Sequence, residues 1–278
     1  SWNNYGSYLF TEKDNNIGGT ISLIYNKNSF LSFFISHAIG YKTSGINQSP
    51  NFPNNRIYDT ETSYNTEIGY KFKDSTLSLD FTSFYIHRNN PQLRLFMQLD
   101  LTNPLSFDYA TFNGSDSYSS GFELDLSINY KKINIYNSLS LLNTHIGTFL
   151  FDEDNNGELE SFGSRNSAHS PEKQYIIGFN YYFKSLNNGL SFSLESNYTD
   201  EFWFDDQNDH KSNSYNIINT TINYKFKSYL ISFWGKNIND IIIPVRGFSF
   251  ALEPDEVIRD YKSFGMKKTI GITIEYNI

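Results

Sequence analysis

The chain is 278 residues long, carries a formal net charge of −8 and is 18 % aromatic. The negative charge excludes a typical nucleic-acid-binding protein, which concentrates Lys and Arg on its surface. Because the chain has no cysteine, disulfide frameworks and thiolate metal sites are also excluded. A mean hydropathy of −0.49 with so many aromatic residues is typical of neither a disordered chain nor a helical membrane protein.

Alternation of apolar and polar residues is the dominant pattern along the chain. Successive side chains of a β-strand point to opposite faces, so this alternation predicts strands with one apolar face and one polar face. A length of about ten residues with this period is what a membrane-spanning β-strand needs. The predicted strands are 18–25, 30–37, 64–72, 77–87, 121–130, 133–142, 175–183, 190–198, 215–226, 229–236 and 269–278.

The connections between these strands alternate between short and long. The short ones are 26–29, 73–76, 131–132, 184–189 and 227–228, and an aromatic residue closes the strand before each. The long ones are 39–63, 88–120, 143–174, 199–214 and 237–268. Bacterial outer-membrane barrels have tight turns on the periplasmic side and long extracellular loops. The sequence therefore predicts an all-β fold, an antiparallel transmembrane β-barrel of roughly eleven to twelve strands.

The strand count carries a second expectation. Eleven is an odd number, whereas closed single-chain bacterial barrels normally have an even number of strands. We therefore expect a chain that lacks its front part. A twelfth strand hidden in 5–10 or 93–99 would instead close a smaller, self-contained barrel.

One long connection contains a candidate calcium loop. Asp152, Asp154, Asn156 and Glu158 have the D-x-D-x-N-G spacing, with Gly157 permitting a tight turn. Oxygen atoms at alternate positions can converge on Ca²⁺, the one cofactor that the sequence suggests. The twelfth position is Gly163 rather than a bidentate Glu, so a solvated acidic turn is the simpler interpretation.

A second long connection contains candidate ligand-binding residues. Carboxylates suit hard metal ions and ferric ligands, and an indole ring can stack on a ligand. The alternatives are a solvated acidic loop and ordinary packing of the aromatic rings. The five histidines of the chain show no paired metal-ligand spacing, and we expect no enzyme activity. The candidate ligand-binding residues are Trp203, Asp205, Asp206, Asp209 and His210.

Six short phrases along the chain resemble segments of one family, the TonB-dependent outer-membrane receptors. Each phrase alone is weak, but the six follow in the family's order and extend over nearly the whole chain. They are GYKTSGIN at 40–47, YDTET at 58–62, SGFEL at 120–124, SPE at 170–172, GKNIND at 235–240 and KTIGI at 268–272.

The resemblance implies that residues 1–278 form the C-terminal portion of a receptor barrel, about half of its roughly 22 strands. The family's plug domain and TonB box have no counterpart in the chain. The implied function is TonB-dependent uptake of a scarce nutrient, such as a ferric siderophore, cobalamin or an oligosaccharide. The implied partners are outer-membrane lipid and the TonB complex, in the outer membrane of a Gram-negative bacterium. The alternative is a self-contained barrel of about twelve strands that acts as a passive pore or secretion translocator.

Overall fold

The computed structural model describes residues 15–49, 51–52, 55–100, 102–103, 105–153, 156–183, 189–252 and 257–276. Within these ranges, no helix is long and apolar enough to cross a membrane. The strands in chain order are β1 (Gly19–Asn26), β2 (Leu31–Lys42), β3 (Gly45–Ile46), β4 (Ile57–Tyr58), β5 (Glu61–Lys73), β6 (Leu77–Asn89), β7 (Gln92–Gln98), β8 (Phe107–Asn113), β9 (Ser117–Tyr130), β10 (Ile133–His145), β11 (Phe149–Phe151), β12 (Glu160–Phe162), β13 (Lys173–Phe183), β14 (Gly189–Thr199), β15 (Tyr215–Phe226), β16 (Tyr229–Lys236), β17 (Pro244–Leu252), β18 (Val257–Phe264) and β19 (Thr269–Tyr276).

Eleven of these strands form one large antiparallel sheet, in the order β1-β2-β5-β6-β9-β10-β13-β14-β15-β16-β19. Each strand pairs with its sequence neighbour in the sheet, so the topology is a simple meander. These eleven are the predicted strands, and the all-β fold class is confirmed. The structure lengthens several of them at the long-loop end; β9, for example, begins at Ser117 rather than at residue 121.

The sheet has two chemically different faces. Cross-strand partners share a face, and the register joins Leu23 to Ile35 and Ile35 to Ile68. The same apolar face carries Leu124 and, towards the other edge, Ile272. The opposite, polar face holds rows such as Lys71–Asp80–Asp125–Ser138. Apolar side chains remain exposed to a high degree in this chain, as for Ile272 at 62 %, so the apolar face requires an apolar environment.

Aromatic rings on the polar face lie across glycines of the next strand. The Tyr136 ring covers Gly178, and a Cβ atom at that position would collide with the ring. Phe34 covers Gly69 in the same way. The Tyr136 hydroxyl continues past Gly178 and donates a 2.7 Å hydrogen bond to Glu195 Oε2 on β14. These contacts join three adjacent strands and fix their register.

The long connections contain four small hairpins, β3–β4, β7–β8, β11–β12 and β17–β18, each a separate two-stranded sheet. The proposal of a twelfth barrel strand at 93–99 is wrong, because β7 pairs with β8 rather than with the large sheet. The physical reason is that its alternating apolar residues are buried among the loops. The other candidate strand, 5–10, lies outside the described residues.

The buried core of the described residues lies in these loops. Its members are at most 7 % exposed and come from the first three long connections. Full burial of one such side chain contributes roughly 1.5–3 kcal/mol, so the loops have their own source of stability. The cluster comprises Phe52, Leu93, Leu95, Met97, Ala110, Ile146, Phe149 and Phe151.

Candidate functional site

The long loops pack against one another at one end of the sheet and form a single assembly. We call the described parts of the long connections the loop assembly. Gln207 joins three of its loops: its side chain accepts a hydrogen bond from Phe96 N (2.7 Å), donates one to Phe96 O (3.0 Å) and donates another to Glu153 Oε1 (3.2 Å). The Gln98 backbone N–H adds a 2.7 Å bond to Glu153 O. The two candidate sites, at 152–158 and 203–210, therefore lie on neighbouring loops.

A cluster of ion pairs around one buried carboxylate joins the loop assembly to the sheet. Glu61 at the loop end of β5 is 4 % exposed. Its carboxylate accepts hydrogen bonds from Lys42 Nζ at 3.0 Å and Arg88 Nε at 2.8 Å. It also accepts the backbone N–H of Gln92, the first residue of β7, at 2.8 Å. Because the buried carboxylate accepts hydrogen bonds from three other segments, this cluster holds β2, β5, β6 and the β7–β8 hairpin together.

Two cationic side chains lie over the Trp203 ring. The Arg165 guanidinium is 4.5 Å from the ring centre and Lys211 Nζ is 4.1 Å away. Lys211 also forms a 3.0 Å ion pair with Glu201. A shallow pocket of about 150 Å³ opens beside the indole and is lined in part by Lys211, Glu201 and Glu172. Trp203 is half-buried, so part of its ring faces this pocket.

The three candidate aspartates have different surroundings. Asp205 accepts hydrogen bonds from the backbone N–H groups of Gln207 (2.9 Å) and Asn208 (2.6 Å), and so shapes its own turn. Asp206 accepts the Ala168 N–H of the adjacent loop at 2.8 Å. Asp209 forms a 2.8 Å ion pair with Arg165 and keeps a side chain that is 90 % exposed. Asp209 is therefore the candidate carboxylate with the most surface open to a ligand.

Burial raises the pKa of Asp206 above its ordinary value. The Ala168 hydrogen bond and the positive charges of Arg165 and Arg88 offset part of this rise, whereas Asp205 adds to it. Asp206 is thus close enough to Arg88 of the Glu61 cluster to be affected by its charge. Its hydrogen bond to Ala168 gives it the role of a carboxylate that joins two loops.

His210 is buried behind Phe204 rather than open to solvent. Its side chain is 7 % exposed, and its ring meets the Phe204 ring edge-to-face at 4.9 Å. Within the described part of the chain, neither ring nitrogen has a hydrogen-bond partner. Asp260 Oδ1 on β18 lies 3.7 Å from Nδ1. His210 therefore packs the 199–214 loop against the β17–β18 hairpin.

The candidate calcium loop folds as a turn held by its own first carboxylate. Asp152 accepts the backbone N–H groups of Asn156 and Gly157, both at 3.0 Å. Asn156 Oδ1 accepts the Glu158 N–H at 2.6 Å. Asp154 lies outside the described residues, and among the described ones no group of three or more acidic or histidine side chains could hold a metal ion. These hydrogen bonds explain the turn without a cation, and calcium binding stays a prediction.

The β7–β8 hairpin presents an aromatic and cationic surface that the sequence reasoning missed. Its inner face is buried in the loop core, whereas Tyr109 on the other face is 47 % exposed. The Arg94 guanidinium lies 5.0 Å from the Tyr109 ring centre. Phe96 and Phe107 pack against each other at 5.3 Å and against Tyr109 at 5.9 Å each. The alternation of Leu, Arg, Leu, Phe, Met in 93–97 contained the signal, but its partner strand was not recognised.

Solved structures show the same architecture. The ferric yersiniabactin uptake receptor FyuA from Yersinia pestis matches 94 % of this chain with a TM-score of 0.72 at 17 % identity. The siderophore receptor PiuA from Acinetobacter baumannii matches 92 % with a TM-score of 0.67 at 18 % identity. The copper transporter OprC matches 94 % with a TM-score of 0.67 at 11 % identity. At sequence identities of 11 % to 18 %, the structural similarity establishes the fold alone.

This chain covers 37 %, 35 % and 39 % of the FyuA, PiuA and OprC chains, and so spans little more than a third of each. A family model described as "TonB dependent receptor-like, beta-barrel" matches residues 1–238. That match includes ten of the eleven strands of the large sheet. The chain therefore belongs to the TonB-dependent receptor family, as part of its β-barrel.

Proposed function

We propose that the chain is part of an outer-membrane receptor that takes up a scarce nutrient in a TonB-dependent manner in a Gram-negative bacterium. The observation that carries this proposal is the asymmetry of the sheet. One end has turns as short as two residues, and the other bears a packed loop assembly with aromatic and cationic surfaces. Loops on a rigid scaffold are where binding groups gather in proteins.

A ferric siderophore is the substrate class that we favour over cobalamin or an oligosaccharide. Arg94 offers positive charge beside the Tyr109 ring, and Trp203 offers a half-buried aromatic surface next to Arg165 and Lys211, whose charges are paired with Asp209 and Glu201. Anionic chelates with planar groups match this chemistry, because cations attract the charge and rings stack on the planar groups. The similarity to FyuA, a ferric yersiniabactin uptake receptor, and to PiuA, a siderophore receptor, supports the same choice.

Among the residues singled out from the sequence, we assign ligand contact to Trp203, while Asp209 pairs with Arg165 beside it. The proposal gives Asp205, Asp206 and His210 an indirect part, since their contacts hold the loops that carry the binding surface. The polar face of the sheet would line the lumen, and the apolar face would contact outer-membrane lipid. The plug and the contact with TonB belong to other parts of the receptor. Since the family consists of receptors and transporters, the expected event is binding and translocation without covalent chemistry.

The test is uptake by cells that express the natural full-length gene and make no siderophore of their own. We expect accumulation of ⁵⁵Fe from at least one member of a panel of catecholate, phenolate and hydroxamate siderophores. This accumulation should stop when the tonB gene is deleted. Cobalamin and an oligosaccharide series are assayed in parallel, and their uptake in place of iron would refute the substrate class alone.

Site variants make the test specific to the loop assembly. Trp203→Ala and Arg94→Ala should each raise the half-saturating siderophore concentration about tenfold, because a charge-assisted or stacking contact contributes roughly 1–3 kcal/mol. Tyr85→Ala, which removes an exposed ring from the apolar face, is the matched control and should leave uptake unchanged. Uptake that proceeds equally without TonB would instead support the passive-pore alternative.

A further inference from the structure

The short turns share a sequence pattern that their folding does not require. In four of the five, an aromatic residue at or next to the end of the strand is followed directly by lysine: Phe-Lys at 72–73, 183–184 and 226–227, and Tyr-Lys at 130–131. The remaining turn has Tyr25, Asn26 and Lys27 in succession. Lysine is not a favoured turn residue, because Gly, Asn and Asp fit tight turns better. The recurrence therefore points to a role for the positive charge.

Two of these lysines adopt a backbone conformation that disfavours them. Lys131 has a φ of 53° and Lys227 a φ of 52°, both in the left-handed region. Each opens a two-residue turn, where Asn or Gly would be accommodated with less strain. Each ammonium group lies over the ring that precedes it, 5.0 Å from the centre of Tyr130 and 5.3 Å from that of Phe226. Strain that is retained at a surface position is evidence for function.

The turn end of the sheet also differs in the sign of its charge from the chain as a whole. The net charge of the chain is −8. Among the described residues of the short turns, Asp74 is the single acidic side chain, and its carboxylate accepts the Thr76 and Leu77 N–H groups, both at 2.7 Å. Lys27, Lys131, Lys132 and Lys227 belong to the same described turns. The turn end is therefore basic on a protein that is acidic overall.

We propose that these turn lysines bind the phosphate groups of anionic phospholipids in the leaflet that the short turns reach. This inference rests on the proposed placement of the sheet in a membrane. Tyr130 and Phe226 belong to the apolar face, so each lysine follows a ring at the position of an interfacial girdle. Turns recur at every second strand, roughly 10 Å apart. Such a spread row fits a ring of boundary lipids better than a compact epitope on a protein partner.

The experiment measures lipid selectivity with spin-labelled lipids. The natural full-length receptor is reconstituted in phosphatidylcholine vesicles that contain a trace of spin-labelled phosphatidylglycerol or spin-labelled phosphatidylcholine. The fraction of motionally restricted label reports lipid in contact with the protein. A lysine near a membrane surface should favour the anionic lipid about fivefold at its own site. Averaged over all boundary lipids, most of which do not touch a lysine, the preference should be about twofold. One molar salt should abolish this preference.

The decisive variant is Lys131→Asn with Lys227→Asn. Asn accepts the left-handed conformation, so folding should be preserved while the preference for phosphatidylglycerol falls. Lys131→Arg with Lys227→Arg should retain the preference. The matched control is Lys71→Gln with Lys225→Gln, which removes two charges from the same end of the sheet but from its polar face.

The outcomes separate this inference from the proposed function. If the wild-type receptor restricts no lipid at all, the membrane placement itself fails. If it restricts lipid without a preference, or if the double Asn variant keeps the preference, the inference fails and the membrane placement stands. If the Lys71 and Lys225 control lost the preference for phosphatidylglycerol to the same extent, the inference would also be overturned, because the preference would then depend on the total charge of the protein and not on the turn lysines.

Discussion

A pair of neighbouring arginine substitutions on β9 tests the assignment of the two faces of the sheet. Leu126 lies on the apolar face, where its cross-strand partner on β6 is Leu79. Ser127 lies on the polar face and accepts a 3.0 Å hydrogen bond from Asn134. Because the two positions are adjacent in one strand, Leu126→Arg and Ser127→Arg differ mainly in the face to which the charge is added.

The magnitude follows from the depth of Leu126 in the proposed membrane. Tyr130, four residues further along β9, marks the turn-side edge of the apolar band. Strands of outer-membrane barrels tilt by roughly 40°, so four residues at about 3.3 Å each rise by about 10 Å. The apolar band is about 25 Å tall, which places Leu126 close to its middle. Arginine there should cost about 2–4 kcal/mol, whereas arginine on the lumen side at Ser127 should cost well under half of that.

The assay is urea titration of the natural full-length receptor with each substitution, folded into phosphatidylcholine vesicles and scored by the gel mobility of folded and unfolded forms. A difference of 2 kcal/mol corresponds to about a thirtyfold change in the folded-to-unfolded ratio at fixed urea. We expect Leu126→Arg to shift the midpoint strongly and Ser127→Arg to shift it little. Equal shifts, or a larger shift for Ser127→Arg, would refute the assignment of the faces.

Three further predictions concern the sheet, the loops and the topology. Gly178→Ala should destabilise the receptor by about 2–4 kcal/mol in the same titration, because the added methyl displaces the Tyr136 ring and breaks its hydrogen bond. Tyr136→Phe, which removes the hydroxyl alone, should cost only about 1–2 kcal/mol. A larger loss of stability for Tyr136→Phe than for Gly178→Ala would contradict the packing of the ring on Gly178. Burial raises the pKa of Asp206, so loop stability should fall as the pH rises above about 4, where the unfolded carboxyl ionises first. The rate of loop proteolysis should therefore increase from about pH 4 to about pH 7, and Asp206→Asn should remove this increase. An unchanged pH profile in the variant would count against the prediction. In the full-length receptor, Asn208→Cys should react with a membrane-impermeant maleimide on intact cells and Ser228→Cys should not; the opposite result would invert the topology.

The sheet was predictable from the sequence because the alternation that specifies each strand lies within that strand's own residues. The bounds of β15 and β16, 215–226 and 229–236, agree with the prediction residue for residue, although their alternation is interrupted at places such as Ile217–Ile218. The loop hairpins also alternate, but periodicity does not say which partner a strand will find. In β7, the alternate leucines and the methionine are buried in the loop core and not on the large sheet, and this outcome depends on tertiary packing.

The surroundings of the candidate site were not predictable for a related reason. The sequence placed Trp203 and its aspartates in one loop, but the groups that they meet come from elsewhere in the chain. Arg165 lies far from Asp209 in sequence, and Gln207 bonds Phe96 across 111 positions. No local pattern contains such contacts, so the split between Asp209, which is open, and Asp206, which joins two loops, emerges only from the fold.

The shared core of the loops has a consequence for how such receptors acquire new ligands. The buried cluster that includes Leu95 and Ile146 is drawn from three different loops, and Gln207 satisfies backbone groups of another loop. Grafting one loop from a relative would therefore leave apolar surface and unpaired amide groups in the others. Exchange of all the loops as one cassette, with the eleven strands kept as a common frame, is the physically favoured route to chimaeric receptors with altered specificity.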